Sequence, residues 1–224
     1  MAGGHMTDPT SDDVFSGVVN METVRICFVL GILNQLEVCA GDIVNAYLYG
    51  RTKEKVYIVA GPEFGEALMG KKLIIVKALY GLKSSSARFH EHLSATLTKM
   101  GYKPSKADYD LWIKDMGDHY EYIARYVDDV ISFSKKPMEV MQEFKSIYIM
   151  KGVGKPQYYL GGDVVEMNPE WMKEDITMAI SAETYITNAL PKLAKTCGLQ
   201  EFLKSNILIA EDYHPDFDET ELLS

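Results

Sequence analysis

The chain has 224 residues, 47% of them hydrophobic and 25% charged, with a formal net charge of −9. That is enough apolar chain for one sizeable buried core, which excludes an intrinsically disordered protein. The longest nearly unbroken apolar run, Ile26 to Leu33, falls far short of the roughly 20 residues a membrane span needs, so no membrane partner is expected.

Residues 1–12, rich in Gly, Asp and Pro, read as a truncated or flexible entry. From Asn20 to Leu36, apolar positions at Val24, Phe28, Ile32 and Leu36, with Ile26, Leu30 and Leu33 beside them, predict a largely buried helix. Leu36 to Val44 follows as a strand interrupted at Ala40-Gly41-Asp42. Val56–Val59 and Leu73–Val76 are two β-rich runs separated by a Gly/Pro loop. After Gly81, three serines offer an N-cap to a helix whose inner face is Phe89, Leu93, Leu97 and Met100, closed by Gly101. Strands are expected over Leu111–Lys114, Tyr120–Val127 and Val130–Ser134, and a helix from Pro137 to about Tyr148. Tyr158–Met167 and Ile176–Ile180 form an expected hairpin, and Ala182–Cys197 an amphipathic helix on Tyr185, Ile186, Ala189 and Leu193. Interleaved helices and antiparallel hairpins give an α+β class.

Charge is unevenly spread. Lys71 to Ala107 holds eight bases and one acid, whereas the last 24 residues hold seven acids and Lys204. A basic middle permits a polyanionic partner, although a solvated helix face explains such a block equally well. Cys27, Cys39 and Cys197 are scattered without ligand spacing, and no basic stretch leads into an apolar one at the start. Both features fit reduced thiols in an intracellular, cytoplasmic setting.

Tyr126-Val127-Asp128-Asp129 asks for an explanation. It lies between apolar strands, where a two-residue turn favours Asn-Gly or Asp-Gly, and it sets two negative charges side by side. An isolated Asp-Asp is most simply a solvated turn. Beside a half-buried sheet, however, such a pair raises its own pKa values unless a cation relieves the repulsion. Asp42, between the apolar Ala40 and Ile43, is a third carboxylate on a neighbouring strand; its bland reading is an edge aspartate facing water. Together the three could supply the oxygen ligands of a divalent-ion site with room left for phosphates.

These residues resemble a known family. Asp42-Ile43-Val44-Asn45-Ala46-Tyr47-Leu48 is similar to motif A of reverse transcriptases. Leu79-Tyr80-Gly81-Leu82-Lys83 resembles motif B in its copia-type form, and Tyr126–Asp129 the motif C box. Tyr159-Leu160-Gly161-Gly162-Asp163-Val164 resembles the motif E strand. The resemblance runs from about residue 13 to 167 and more loosely beyond. It implies a right-hand polymerase palm, a ferredoxin-like antiparallel sheet with helices on one face, over residues 13–180 with partial fingers. Residues 181–224 would form a thumb-like or connecting segment. The implied activity is RNA-directed DNA polymerisation within a copia-type Pol polyprotein, whose RNase H and integrase regions would be partners.

By the same resemblance, Asp42, Asp128 and Asp129 with the Ile43 carbonyl would hold two Mg²⁺ ions, Mn²⁺ substituting. Tyr47 would gate against a ribose 2′-OH, and Gly81 and Lys83 would line the nucleotide side for the dNTP. Tyr126 and Val127 would sit under the primer terminus of an RNA or DNA template, and Tyr159, Leu160 and Gly161 would grip the primer. A virus-like particle follows as the location. The family's Lys/Arg-rich finger strand has no counterpart in Met1–His5, which predicts weak triphosphate binding. The competing reading is a catalytically impaired or repurposed palm serving as a binding or structural module.

Overall fold

A computed structural model describes residues 14–167 and 177–199. The expected truncated entry and the acidic tail lie outside them. Four helices and eleven strands are present among the described residues. Helices α1 (Met21–Leu33), α2 (Ser85–Lys99), α3 (Pro137–Lys145) and α4 (Glu183–Thr196) alternate with strands grouped in three sheets.

The main sheet has six strands in the order β4-β5-β6-β7-β1-β8. These are β4 (Lys103–Pro104), β5 (Leu111–Asp115), β6 (Tyr120–Tyr126), β7 (Asp129–Ser134), β1 (Glu37–Ile43) and β8 (Met150–Gly154). Its strand pairs are antiparallel. A two-stranded hairpin joins β2 (Tyr57–Val59) to β3 (Lys72–Ile74), and β9 (Tyr158–Tyr159), β10 (Gly162–Met167) and β11 (Thr177–Ser181) form a three-stranded sheet in the order β11-β10-β9. The mixed α+β class is therefore observed.

The expectation that helices occupy one face needs correction. On one face, α2 and α3 pack Phe89, Leu93, Leu97, Val140, Met141 and Phe144 against Cys39, Ile43, Ile123 and Val130. The other face is covered as well, by Val24, Cys27 and Phe28 of α1 and by Tyr159 and Val164, which meet Val38, Ala124, Ile131 and Phe133. Alternate residues of β7 serve the two cores, as the period-2 geometry of a strand dictates. A strand covered on both faces loses the polar-out alternation, and in β6 and β7 even the polar Glu121, Arg125, Ser132 and Ser134 are buried. Phe28 meets Phe133 edge-on at 5.1 Å between ring centroids, worth about 0.5–1.5 kcal/mol beyond the area buried.

Several elements depart from expectation, each for a physical reason. α1 is only one-sided: Ile26, Val29 and Leu33 are exposed because just one stripe reaches the sheet. β1 runs unbroken through Gly41 and Asp42, and the irregularity is a register shift against β8 between Ala40 and Asp42. Ser84 stands at the N-cap of α2 but makes no capping hydrogen bond through its side chain. Ser85 Oγ donates instead to the Leu79 carbonyl at 2.7 Å, and Ser86 Oγ to Ser16 Oγ at 2.7 Å. The run from Tyr158 is not one strand. It breaks at Leu160 and Gly161, both at positive φ, so that β9 (Tyr158–Tyr159) folds back on β10 (Gly162–Met167), which pairs in turn with β11 (Thr177–Ser181). Tyr185, Ile186 and Leu193 of α4 are exposed, and Ala194 is its buried residue.

The 3-10 turn Ala46–Tyr49 follows β1 and packs against α2. Gly50 closes it at the point of contact: a β-carbon there would stand 2.9 Å from the Arg88 carbonyl carbon and 3.0 Å from the Phe89 nitrogen. Both are backbone atoms of a helix and cannot step aside. Gly50→Ala is therefore expected to cost about 1–3 kcal/mol by overpacking, measured as a lower urea midpoint at unchanged m-value.

Candidate active site

β1 and β7 carry the carboxylates because their register makes Asp42 and Asp129 direct cross-strand partners. Facing β-carbons in such a pair stand about 4.5–5.5 Å apart. Asp129 pairs on its other side with Tyr126, so the turn residues are Val127 and Asp128, not the two aspartates. Val127 takes φ +56°, a left-handed conformation in which a β-branched residue is strained. The Ile43 N–H donates to the Asp128 carbonyl at 2.9 Å and ties the turn to β1. The Ile43 side chain is fully buried, leaving only its backbone for the site.

The charges are poorly balanced. Burial raises the Asp129 carboxyl, and the charges of Asp128 and Asp42 raise it further. Asp128 is likewise raised by burial and by Asp42, against a backbone hydrogen bond and Lys151 that lower it. Lys151, the β8 partner of Asp42, places Nζ 3.3 Å from Asp42 Oδ1. One exposed lysine thus faces three carboxylates. Among the described residues no three carboxyl, imidazole or thiol groups already converge at ligand distance. The donor chemistry nevertheless fits a divalent ion. It consists of hard carboxylate oxygens on two adjoining strands, with an excess of negative charge that a small dication would neutralise.

The Leu82 N–H donates to the Leu79 carbonyl at 3.1 Å, and Gly81 at the third turn position has φ +100°. This is the geometry that demands glycine in a type II turn, and it accounts for Gly81 without any ligand. The turn projects Tyr80 over Tyr47 of the 3-10 turn, with ring centroids 4.3 Å apart. Lys83 is exposed, as are Lys71, Lys72, Lys77, Lys99, Lys103 and Lys106, whereas Arg88 is buried and bridges to Glu91 at 2.5 Å. Tyr126 is exposed beside the carboxylates.

Tyr159 belongs to the core, not to an open surface. Burial, with Asp129 second, pushes its phenol well above the ordinary range, and among the described residues its hydroxyl has no hydrogen-bond partner. Its ring packs with residues of β1 and β7, and Leu160 and Gly161 form the turn between Tyr159 and Gly162. The sequence reading missed two neighbours of the carboxylates. Tyr80 lay inside a quoted motif without a role, and Lys151 lies on a glycine-flanked strand that carries no apolar alternation.

The model of the family described as reverse transcriptase (RNA-dependent DNA polymerase) matches residues 3–196. A Ty5-1 transposon protein of Saccharomyces cerevisiae is 29% identical over 152 residues, covering 66% of this chain and 47% of that protein. The retrovirus-related Pol polyprotein from transposon TNT 1-94 of Nicotiana tabacum is 26% identical over 81% of this chain. The Ty1-DR1 Gag-Pol polyprotein of S. cerevisiae is 29% identical over 86% of it. The chain spans 14% and 11% of those two polyproteins.

Proposed function

From the premise that the chain belongs to the reverse transcriptase (RNA-dependent DNA polymerase) family, we propose that it is the polymerase domain of a copia-type retrotransposon Pol polyprotein. Its reaction would be the template-directed transfer of a nucleotide from dNTP to a primer 3′-OH. The observation that carries this reading is the cross-strand pairing of Asp42 with Asp129, with Asp128 in the adjoining turn. Residues 13–180 would form the palm with partial fingers, the β2–β3 hairpin among them, and 181–224 a thumb-like or connecting segment.

Asp42, Asp128, Asp129 and the Ile43 carbonyl would hold two Mg²⁺ ions, with Mn²⁺ a substitute. When bound, the ions supply acidification of the attacking hydroxyl and charge neutralisation on the triphosphate. The strained Val127 turn sets both aspartates at the end of a rigid hairpin, and a fixed carboxylate needs no reorganisation during reaction. Tyr126, exposed and level with Asp129, would meet the primer terminus, and the Leu160–Gly161 turn its backbone. Tyr47 would stand where a 2′-hydroxyl must fit. Lys83 and the exposed lysines around it would draw the template strand or the triphosphate electrostatically, offsetting the acidity of the whole chain. Among the described residues no helix is long and apolar enough to cross a membrane. An intracellular virus-like particle, with RNase H and integrase regions of the same polyprotein, is the setting this function implies.

The test is extension of a labelled DNA primer on an RNA template with Mg²⁺ and dNTPs. Addition that follows template sequence and stops in EDTA is expected. A cooperatively melting protein that adds no nucleotide on RNA or DNA templates would overturn the polymerase reading and leave a folded binding module.

A further inference from the structure

Tyr47 does not stand alone. Its ring lies 4.3 Å from that of Tyr80 at 31° between planes, and 6.3 Å from Phe89 at 54°. Phe89 is fixed in the core between α2 and the sheet. Tyr80, by contrast, is 40% exposed and reaches the open surface. The backbone beneath it is unusually well secured. Ser85, itself buried, donates to the Leu79 carbonyl at 2.7 Å, the same carbonyl that accepts the Leu82 N–H, and Gly81 supplies the positive φ. The turn holds Tyr80 against Tyr47. Burial raises the Tyr80 hydroxyl first, and the charge of Asp128, followed by Tyr47 and Asp42, raises it further.

We propose that Tyr80 is a positioning residue for sugar selection, packing against the Tyr47 ring, which Phe89 also adjoins, so that this ring cannot swing away from a ribose 2′-hydroxyl. The inference rests on the polymerase reading and on Tyr47 as its gate. A gate free to rotate about χ1 would yield to the extra hydroxyl, whereas a ring packed against Tyr80 meets it as a fixed wall. This packing needs the aromatic face and not the phenolic hydroxyl, which separates it from a direct contact to substrate.

The experiment is single-nucleotide incorporation from dNTP and the matching rNTP by the whole chain and by Tyr80→Phe, Tyr80→Leu, Tyr47→Ala and the Tyr47→Ala/Tyr80→Leu pair. Tyr80→Phe should keep the wild-type ratio of kcat/KM values. Tyr80→Leu should lower the preference for dNTP by about tenfold or more, mainly through KM for rNTP. In the Tyr47→Ala background Tyr80→Leu should add nothing. An unchanged ratio in Tyr80→Leu, or an equal effect with and without Tyr47, would overturn the positioning role while leaving the polymerase reading intact. Wild-type protein that incorporates neither sugar would overturn both.

Discussion

Asp128→Asn and Asp129→Asn should each abolish nucleotide incorporation, by roughly a thousandfold or more, and should each raise the melting temperature at neutral pH in EDTA. The two outcomes come from one cause. Asp129 is held half-buried beside Asp128 and across from Asp42, and both burial and repulsion raise its carboxyl. A group raised in the folded state contributes stability below its ordinary pKa and loses it as pH rises through the folded value. At neutral pH the charged pair therefore weighs against folding, and a neutral amide of the same shape removes that weight. Mg²⁺ should raise the melting temperature of the wild type but much less that of either variant, because an ion that binds only the folded state stabilises it by mass action. Thermal melts at pH 7 with EDTA or Mg²⁺, beside primer extension, check both. A fall in melting temperature for either variant in EDTA would mean that the aspartates are satisfied by partners and are not strained by one another.

The legible parts of this chain were those where local sequence and global packing agree. α2 was readable because its inner face repeats at helical spacing and Gly101 ends it at φ +89°. The Asp42 and Asp128–Asp129 pairing was readable because apolar runs flank each and the turn between β6 and β7 is short. The turn itself was misplaced by one residue. A β-branched valine at φ +56° violates local preference, and no pattern rule selects it. Such violations concentrate where function is paid for in strain, and this one adjoins the carboxylates. β8 was illegible because Gly152 and Gly154 dilute it and its faces carry no alternation; it exists through pairing to β1. The covering of the second sheet face was also hidden. It depends on Tyr159 and Val164 returning from a hairpin whose break at Leu160 needs a tertiary reason.

Arg125 is the other residue whose weight only the structure reveals. It is 2% exposed, one position before Tyr126, where the sequence offers an arginine among apolar neighbours. Its Nε donates to Asp110 Oδ1 at 2.6 Å, and Nη1 donates to the His90 carbonyl at 3.1 Å and to Ser94 Oγ at 3.0 Å. Its own backbone pairs with Asp110 and Val19. The side chain thus ties β6, and with it the Val127–Asp128 turn, to α2 and to the loop before β5. Burial alone would push the Asp110 carboxyl up, yet His90 and Arg125 hold it below the usual carboxylate range. Arg125→Met leaves that carboxylate buried without its cation and should cost about 3–5 kcal/mol, a fall in melting temperature of about 10 °C for a chain of this size. The variant Arg125→Met/Asp110→Asn should lose less than Arg125→Met alone, because no uncompensated charge is left behind. The pH dependence carries the sign of the pair. A depressed carboxyl contributes stability above its ordinary pKa and loses it as pH falls through the folded value. Without Arg125 only His90 opposes burial at Asp110, and the dependence weakens. The gap between wild type and Arg125→Met should therefore be widest near neutral pH and should narrow below about pH 4, where a carboxylate takes up its proton. A constant gap across that range would mean that the arginine acts through packing on Trp112, whose ring centre lies 5.6 Å from its guanidinium, and not through Asp110.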